Sequence, residues 1–363
     1  MGTVFRFAGR TPLNEQDHAD ALTQACAFLH AADETFSLYK PESPLSRLAR
    51  GETKVADLNP IVDEIWNACE AWSAETDGAD AFTPLALAAA WEPRLRLGTA
   101  IVPAYTRTAP VIAQSVAALA DAAPGRFAIG IGSSSNVIVE KWNGVPFVDP
   151  YKKVRDVVRF MHDAFSGEKI TKEYDTFSVN GFRLSIKPEQ KPTILVAALR
   201  EGMLKLGARE ADGVIINWLS AQDVSKVAAV VNGAANGVEK EITARIFVCP
   251  SENTETVMAG AKFAIAAYMN VPVYADFHRW MGRAPLLQGM WDAWAAGDRK
   301  AALAAIPDQA VDELVVHGSP AHCRDVINEY FKNGVTTSSL AILPLDPELD
   351  YWKAVESLSP SAS

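Results

Sequence analysis

Two rhythms alternate along this chain. Short, continuously apolar runs are separated by longer stretches whose apolar residues return every three or four positions, the spacing of one helix face. The runs predict strands at TVFRFAG (3–9), RLRLGTAIV (94–102), RFAIGIG (126–132), TILVAA (193–198), GVIINW (213–218), TARIFVC (243–249) and SSLAILPL (338–345). The periodic stretches predict helices at Glu15–Phe36, Pro60–Trp72, Pro110–Ala122, Pro150–Phe165, Glu201–Glu210 and Ala221–Asn232. A long helical tract runs from Thr254 to about Ile306, and a short helix follows the last strand. Residues 37–53 are loop-like, and 166–190 form an irregular insertion with the pattern of a small hairpin.

Apolar strands alternating with helices indicate an α/β protein whose parallel sheet is covered on both faces. Six such strands follow residue 94. With 3–9 and a strand near 70–75 the total is eight, the number that closes a (β/α)8 TIM-type barrel. An open doubly wound sheet is the competing architecture, although the Gly-rich first crossover that usually marks it is missing. The terminal SLSPSAS predicts a frayed tail.

Composition narrows the function. With 363 residues, 49% of them hydrophobic, the chain can bury one large core or two smaller ones. A net charge of -10 argues against nucleic acid as a partner, while leaving room for a local phosphate pocket. Cys26, Cys69, Cys249 and Cys323 are far apart, which speaks against a zinc site or a disulfide framework and fits a reducing compartment. The N-terminus lacks a signal-peptide core, Arg6 breaks a myristoylation pattern, and no apolar run is long enough to span a bilayer. The expectation is a cytoplasmic protein with no membrane partner.

Three strand ends carry candidate chemistry. GIGSSSN (130–136) is neither a dinucleotide fingerprint nor a nucleophile elbow, since Ser135 and Ser134 stand where those motifs need glycine. Its N–H groups and hydroxyls suit an anion, though an ordinary strand-to-helix turn explains it equally well. VAALREGMLKLG (196–207) runs from a strand into a helix start beside Arg200, a phosphate site or simply a solvated cap. LGTAIVP (97–103) ends a strand in small residues, open to a flat ligand or only to close packing. The six histidines show no metal-ligand spacing. His278 lies where it could line a pocket mouth, although a packed helix position is the simpler account; His317 and His322 suit caps or loops, and Trp291 and Trp294 a core-facing helix side.

Taken in order, RLRLGTAIVPAYTRTAP, GRFAIGIGSSSNVIVEKWNG, ILVAALREGMLKLGAREADGVIINW and the late VPVYADFHRW, AWAAGDRKAA and VVHGSP resemble the bacterial luciferase-like monooxygenase superfamily, in its deazaflavin (coenzyme F420)-dependent oxidoreductase branch. The resemblance spans about residues 72–357. It implies a (β/α)8 barrel with 166–190 as its insertion, and F420 as cofactor, with FMN as the alternative. A flat ring would rest on a bulge at Thr99, Ala100 and Ile101, with a non-proline cis peptide at Ala100–Ile101. The phosphate tail would lie over Ser133, Ser134 and Ser135 and over Ala197, Ala198, Leu199 and Arg200. Glu75, at the end of strand two, would be the acid/base group. A hydride would pass between cofactor and a small organic substrate, no metal is implied, and family members are usually homodimers.

The first 80 residues resemble another family. MGTVFRF, DETFSLYKPESPLSRLARGE and WSAETDGA are similar to the opening of the FAD:protein FMN transferases (the ApbE family). That family's later Asp-Pro segment has no counterpart, since Asp149-Pro150 lacks the preceding His and the following Thr-Gly. The expected organisation is a transferase-like segment, 1–78, that replaces or precedes the first βαβ unit, a barrel at 79–357, and a disordered tail at 358–363. The alternatives are an FMN transferase-like protein and a non-catalytic fusion or truncated barrel remnant.

Overall fold

The computed structural model describes residues 81–91 and 95–359. The chain divides into two compact units, Met1–Leu95 and Arg96–Ser363. In the first, helix α1 (Thr83–Trp91) is described. The strands expected at 3–9 and 70–75, the helices at 15–36 and 60–72, the transferase-like pattern and Glu75 lie outside the described residues.

The second unit is built on parallel strands. Its edge begins with β1 (Leu97–Gly98) and β2 (Val102–Pro103), both paired to β3 (Phe127–Gly132). The antiparallel hairpin β4 (Ile170–Glu173) and β5 (Ser178–Phe182) stands apart as the expected insertion. The sheet continues through β6 (Thr193–Ala197), β7 (Gly213–Asn217), β8 (Glu241–Cys249) and β10 (Thr337–Ile342), with β9 (Val316–His317) beside the end of β8. His317 is therefore a strand residue rather than a cap or loop, and its Nε2 meets Asp312 Oδ1 at 3.0 Å.

Helices alternate with the strands as expected: α2 (Ala109–Ala122), α3 (Pro150–Phe165), α4 (Glu201–Glu210) and α5 (Ala221–Ala234). The single tract expected at 254–306 is four helices, α6 (Thr254–Met269), α7 (Pro272–Met281), α8 (Ala284–Ala295) and α9 (Arg299–Ala304). Pro272 and Pro285, at the first turns of α7 and α8, and Gly282, at φ 90, supply the breaks. Then come α10 (Asp308–Leu314), α11 (Pro320–Lys332) and α12 (Tyr351–Ser357). Local chemistry sets the helix starts. At α5, Ser220 Oγ accepts from Asp223 N and Asp223 Oδ2 accepts from Ser220 N at 2.8 Å, a reciprocal capping box.

Period-2 alternation separates two sides of the sheet. Val214, Ile216, Ile242, Ala244, Ile246 and Val248 face outward and pack with Leu204, Val224 and Ile327 of the surrounding helices. Each fully buried aliphatic side chain contributes about 1.5–3 kcal/mol. Leu358, expected in the frayed tail, is buried in this same cluster. Ala128, Leu195 and Ile215 face inward and meet Ile101 in a small interior core.

A salt bridge shows that the sheet curls. Arg96 donates to both carboxylate oxygens of Glu241, at 2.7 and 2.6 Å. The strands these residues adjoin, β1 and β8, are four steps apart in the sheet order. A flat sheet would separate them by roughly 19 Å at about 4.8 Å per strand, farther than an arginine and a glutamate jointly span. The described strands therefore form the curved wall of a TIM-type barrel. Thr337 and Thr243 also donate to Glu241. Burial pushes the Glu241 carboxyl up, but the hydrogen bonds from Arg96 and Thr337 and the Arg96 charge outweigh it and hold it below the usual carboxylate range.

Candidate active site

The run expected as one strand at 94–102 is broken in two, and the break builds the site. Gly98 pairs with Ala128 and Val102 with Ile131, so the first strand carries one extra residue between them. Thr99 pins this bulge: its Oγ1 donates to Gly130 O (3.1 Å) and accepts from Gly130 N (2.9 Å). The Ala100–Ile101 peptide is cis. Thr99 is buried and its hydroxyl fully engaged, whereas Ala100 is exposed and Ile101 half-buried. The bulge thus offers a backbone edge and a small side chain to a flat ligand. Gly130 permits the approach, because a Cβ there would lie 2.2 Å from Thr99 O.

The next two strand ends lie side by side, since Ile131 of β3 pairs with Val196 of β6. After β3, Ser133, Ser134 and Ser135 are half-buried, and Ser134 turns the chain at φ 64. Ser135 O accepts from Val139 N at 2.9 Å and starts a π-helical segment, Val137–Trp142. After β6, Ala197, Ala198 and Leu199 lead to Arg200, the N-cap of α4, which makes no side-chain cap. The first N–H groups of α4 find no acceptor within the helix. A Cβ on Gly202 would meet nothing within 4 Å, so the space over this helix start is open. The Arg200 side chain points elsewhere: it is exposed and its Nη1 meets Asp276 Oδ2 of α7 at 3.3 Å.

Sequence reading passed over a third group, at the ends of β7 and β8. Asn217 and Arg245 are ladder partners. Asn217 Nδ2 donates to Tyr274 Oη at 3.2 Å. Trp218, at φ 53, stacks on Phe247 with ring centroids 3.9 Å apart, and Tyr268 leans on both rings. The Arg245 guanidinium lies 4.9 Å from the Phe247 ring centre. The signal was present in TARIFVC: Thr243, Arg245 and Phe247 alternate with outward-facing aliphatics, which places a charge on the barrel-facing side.

Arg283 fixes this region. Its Nη2 donates to Asp223 Oδ2 (2.5 Å) and its Nε to Glu313 Oε2 (2.7 Å), tying the helices after β8 to the first turn of α5. His278 is fully buried rather than at a pocket mouth. Burial, and then the Arg283 charge, push its imidazole down to about 3, so it is neutral at physiological pH.

A polar cleft of about 360 Å³ lies at the opposite face, where the strands begin, between Arg96, Glu241 and Thr337. Barrels keep stabilising contacts there and chemistry at the strand C-termini. Among the described residues no His, Cys, Asp or Glu cluster could hold a metal ion. None of the described helices is long and apolar enough to cross a membrane.

Comparison with known proteins agrees with this geometry. The 5,10-methylenetetrahydromethanopterin reductase of Methanolobus tindarius is 25% identical over 313 residues, covering 83% of this chain and 92% of that protein. The fold matches the coenzyme F420-dependent tetrahydromethanopterin reductase of Methanopyrus kandleri with a TM-score of 0.65 at 21% identity, over 78% of this chain and 86% of that one. It also matches an F420-dependent secondary alcohol dehydrogenase, solved with an F420–acetone adduct, with a TM-score of 0.62 at 14% identity, over 79% and 85% of the two chains. A sequence model of the luciferase-like monooxygenase family matches residues 69–337, a span that takes in the WSAETDGA stretch. The chain belongs to the luciferase-like monooxygenase family.

Proposed function

We propose that this enzyme moves a hydride between coenzyme F420 and a small organic substrate. One observation carries the reading: at neighbouring strand C-termini, a pinned bulge with an exposed backbone edge adjoins a hydroxyl-lined loop and an open helix start. A flat ring fits the first and a phosphate the other two. Relatives named as F420-dependent support that cofactor, and FMN stands as the alternative. When bound, it would supply the hydride-accepting or hydride-donating carbon. The protein would do the rest. Thr99 fixes the bulge through Gly130, Ala100 and Ile101 present the surface beneath the ring, and Ser133, Ser134, Ser135 and the N–H groups from Leu199 to Glu201 hold the phosphate, the Ala198 N–H being taken by Ile215 O. Arg200 would contribute its backbone N–H, its guanidinium being paired with Asp276. Glu75, outside the described residues, is proposed as the acid/base group.

The test is to titrate the purified chain with F420 and, separately, with FMN, following quenching of the ligand's fluorescence. Saturable micromolar binding of F420, weakened by Ser134→Asp, is the expected result. Preferential FMN binding would replace the cofactor but keep the site, and no saturable binding of either would overturn the reading.

A further inference from the structure

We infer that Arg245 is the anion-recognition residue of the substrate subsite, and that the substrate class is a planar, largely apolar molecule bearing a carboxylate or comparable oxyanion. The inference rests on the oxidoreductase reading above and names what it acts on.

Charge comes first. Arg245 is half-buried on the barrel-facing side of β8, and its side chain has no hydrogen bond or ion pair to any described residue. The barrel-facing positions level with it or above it on β3, β6, β7 and β10 are Gly, Ala, Leu, Ile, Asn and Ser, none of them acidic. The one carboxylate on its own side of β8 is Glu241, four residues and roughly 13 Å away along the strand, and Arg96 holds it at 2.6 Å. A half-buried guanidinium with no counter-charge among the described residues is a ready partner for an anion that enters the barrel mouth.

Shape comes second. Next to Arg245 in the ladder stand Asn217, whose amide already reaches Tyr274 Oη, and Ser339. The buried rings of Phe247 and Trp218 back the guanidinium, and the half-buried Tyr268 and Tyr274, meeting edge to face at 5.8 Å, carry the aromatic lining on from them. A two-pronged donor beside half-buried tyrosine rings suits a carboxylate on a flat apolar body. The subsite is separate from the expected phosphate cradle, which stands on β3 and β6.

The experiment uses the full chain with benzoate as the anionic probe, benzamide as its neutral isostere and inorganic phosphate as an anion without the flat body. Binding is measured by calorimetry for wild type, Arg245→Gln and Arg245→Lys, with F420 affinity measured in parallel. Benzoate should bind wild type at least tenfold more tightly than benzamide or phosphate. It should lose about ten- to hundredfold in Arg245→Gln, and less in Arg245→Lys. F420 affinity should stay within about threefold in both variants. Equal benzoate binding to wild type and Arg245→Gln, or none to wild type, overturns this inference and leaves the cofactor reading standing if F420 still binds. Loss of F420 affinity in both variants would reassign Arg245 to the cofactor, and phosphate binding as well as benzoate would remove the claim to a flat substrate. If wild type fails to bind F420, the cofactor reading falls while the benzoate comparison still decides the role of Arg245.

Discussion

Gly130→Ala puts the architecture of the site under direct stress. The new Cβ would lie 2.2 Å from the Thr99 carbonyl oxygen and 2.5 Å from Ile215 Cδ1, where ordinary contact begins near 3.4 Å. Ile215 can turn its terminal methyl away, but Thr99 O is backbone. That oxygen must retreat by about 1 Å, and it belongs to the residue whose hydroxyl bonds Gly130 at both N and O. Relief therefore displaces the bulge and loosens two buried hydrogen bonds together. Overpacking of this kind costs about 1–3 kcal/mol, and a displacement near 1 Å at a reacting centre costs roughly a hundredfold in rate. Urea denaturation and F420 titration of the same preparation should show both effects, with cofactor affinity reduced at least about tenfold. Gly233→Ala is the control, because a Cβ there meets nothing within 4 Å; it should be neutral or slightly stabilising. A Gly130→Ala protein that melts within about 0.5 kcal/mol of wild type and binds cofactor unchanged would refute the close approach on which the site is built.

Three further outcomes follow from the structure. The His278 imidazole sits at about 3 in the fold against an ordinary 6.5, so stability is complete above pH 6.5 and declines as the unfolded state gains a proton below it, down to the folded value. The decline is about 1.4 kcal/mol per pH unit, or roughly 2 kcal/mol between pH 6.5 and 5; urea midpoints for His278→Leu should fall less steeply over that window, and an identical slope would count against the burial. Arg283→Met removes a buried guanidinium from the half-buried Asp223 and Glu313 and should cost about 1.5–3 kcal/mol in chemical denaturation, a loss below about 0.5 kcal/mol being incompatible with the network. Arg96→Gln, on a more exposed pair, should cost only about 0.5–1 kcal/mol, and the cost should shrink as acid protonates Glu241 at a pH below its ordinary range, as thermal melts from pH 7 to 3 would record.

How much was legible varied with the kind of interaction. Helices with a strong apolar face and a clear start were read to the residue, as at Pro150–Phe165 and Glu201–Glu210. Strand ends were read within a few residues because the apolar runs stop where the barrel wall stops. The bulge and its cis Ala100–Ile101 peptide were expected through the family resemblance alone, since the extra residue is defined by register against β3, which no local pattern in RLRLGTAIV records. The four-helix division of 254–306 was marked by Pro272, Gly282 and Pro285, which could have been used as breakpoints. β9 escaped because two residues are too short for any period, and its existence depends on pairing with Val248 and Cys249. Of the expected site residues, Thr99 proves to be a pin and Arg200 is diverted to Asp276, facts fixed by tertiary neighbours alone.

One strand shows why position in the barrel matters more than residue type. Along β8 the same face carries Glu241, Thr243, Arg245 and Phe247. Glu241 opens the strand and is saturated by Arg96, Thr243 and Thr337, so its charge closes the lower end of the wall. Arg245 stands four residues on, near the end where barrels place chemistry, with no matching anion among the described residues. Had Arg245 served only to hold the wall together, the pattern at Glu241 shows what that looks like: a bidentate partner and two hydroxyl donors. Its absence two pleat repeats higher, beside Asn217 and half-buried tyrosines, argues that this charge is kept for a ligand. The two ends of β8 then divide the work. Neutralising Glu241 should move stability and leave ligand binding in place, and neutralising Arg245 should do the reverse.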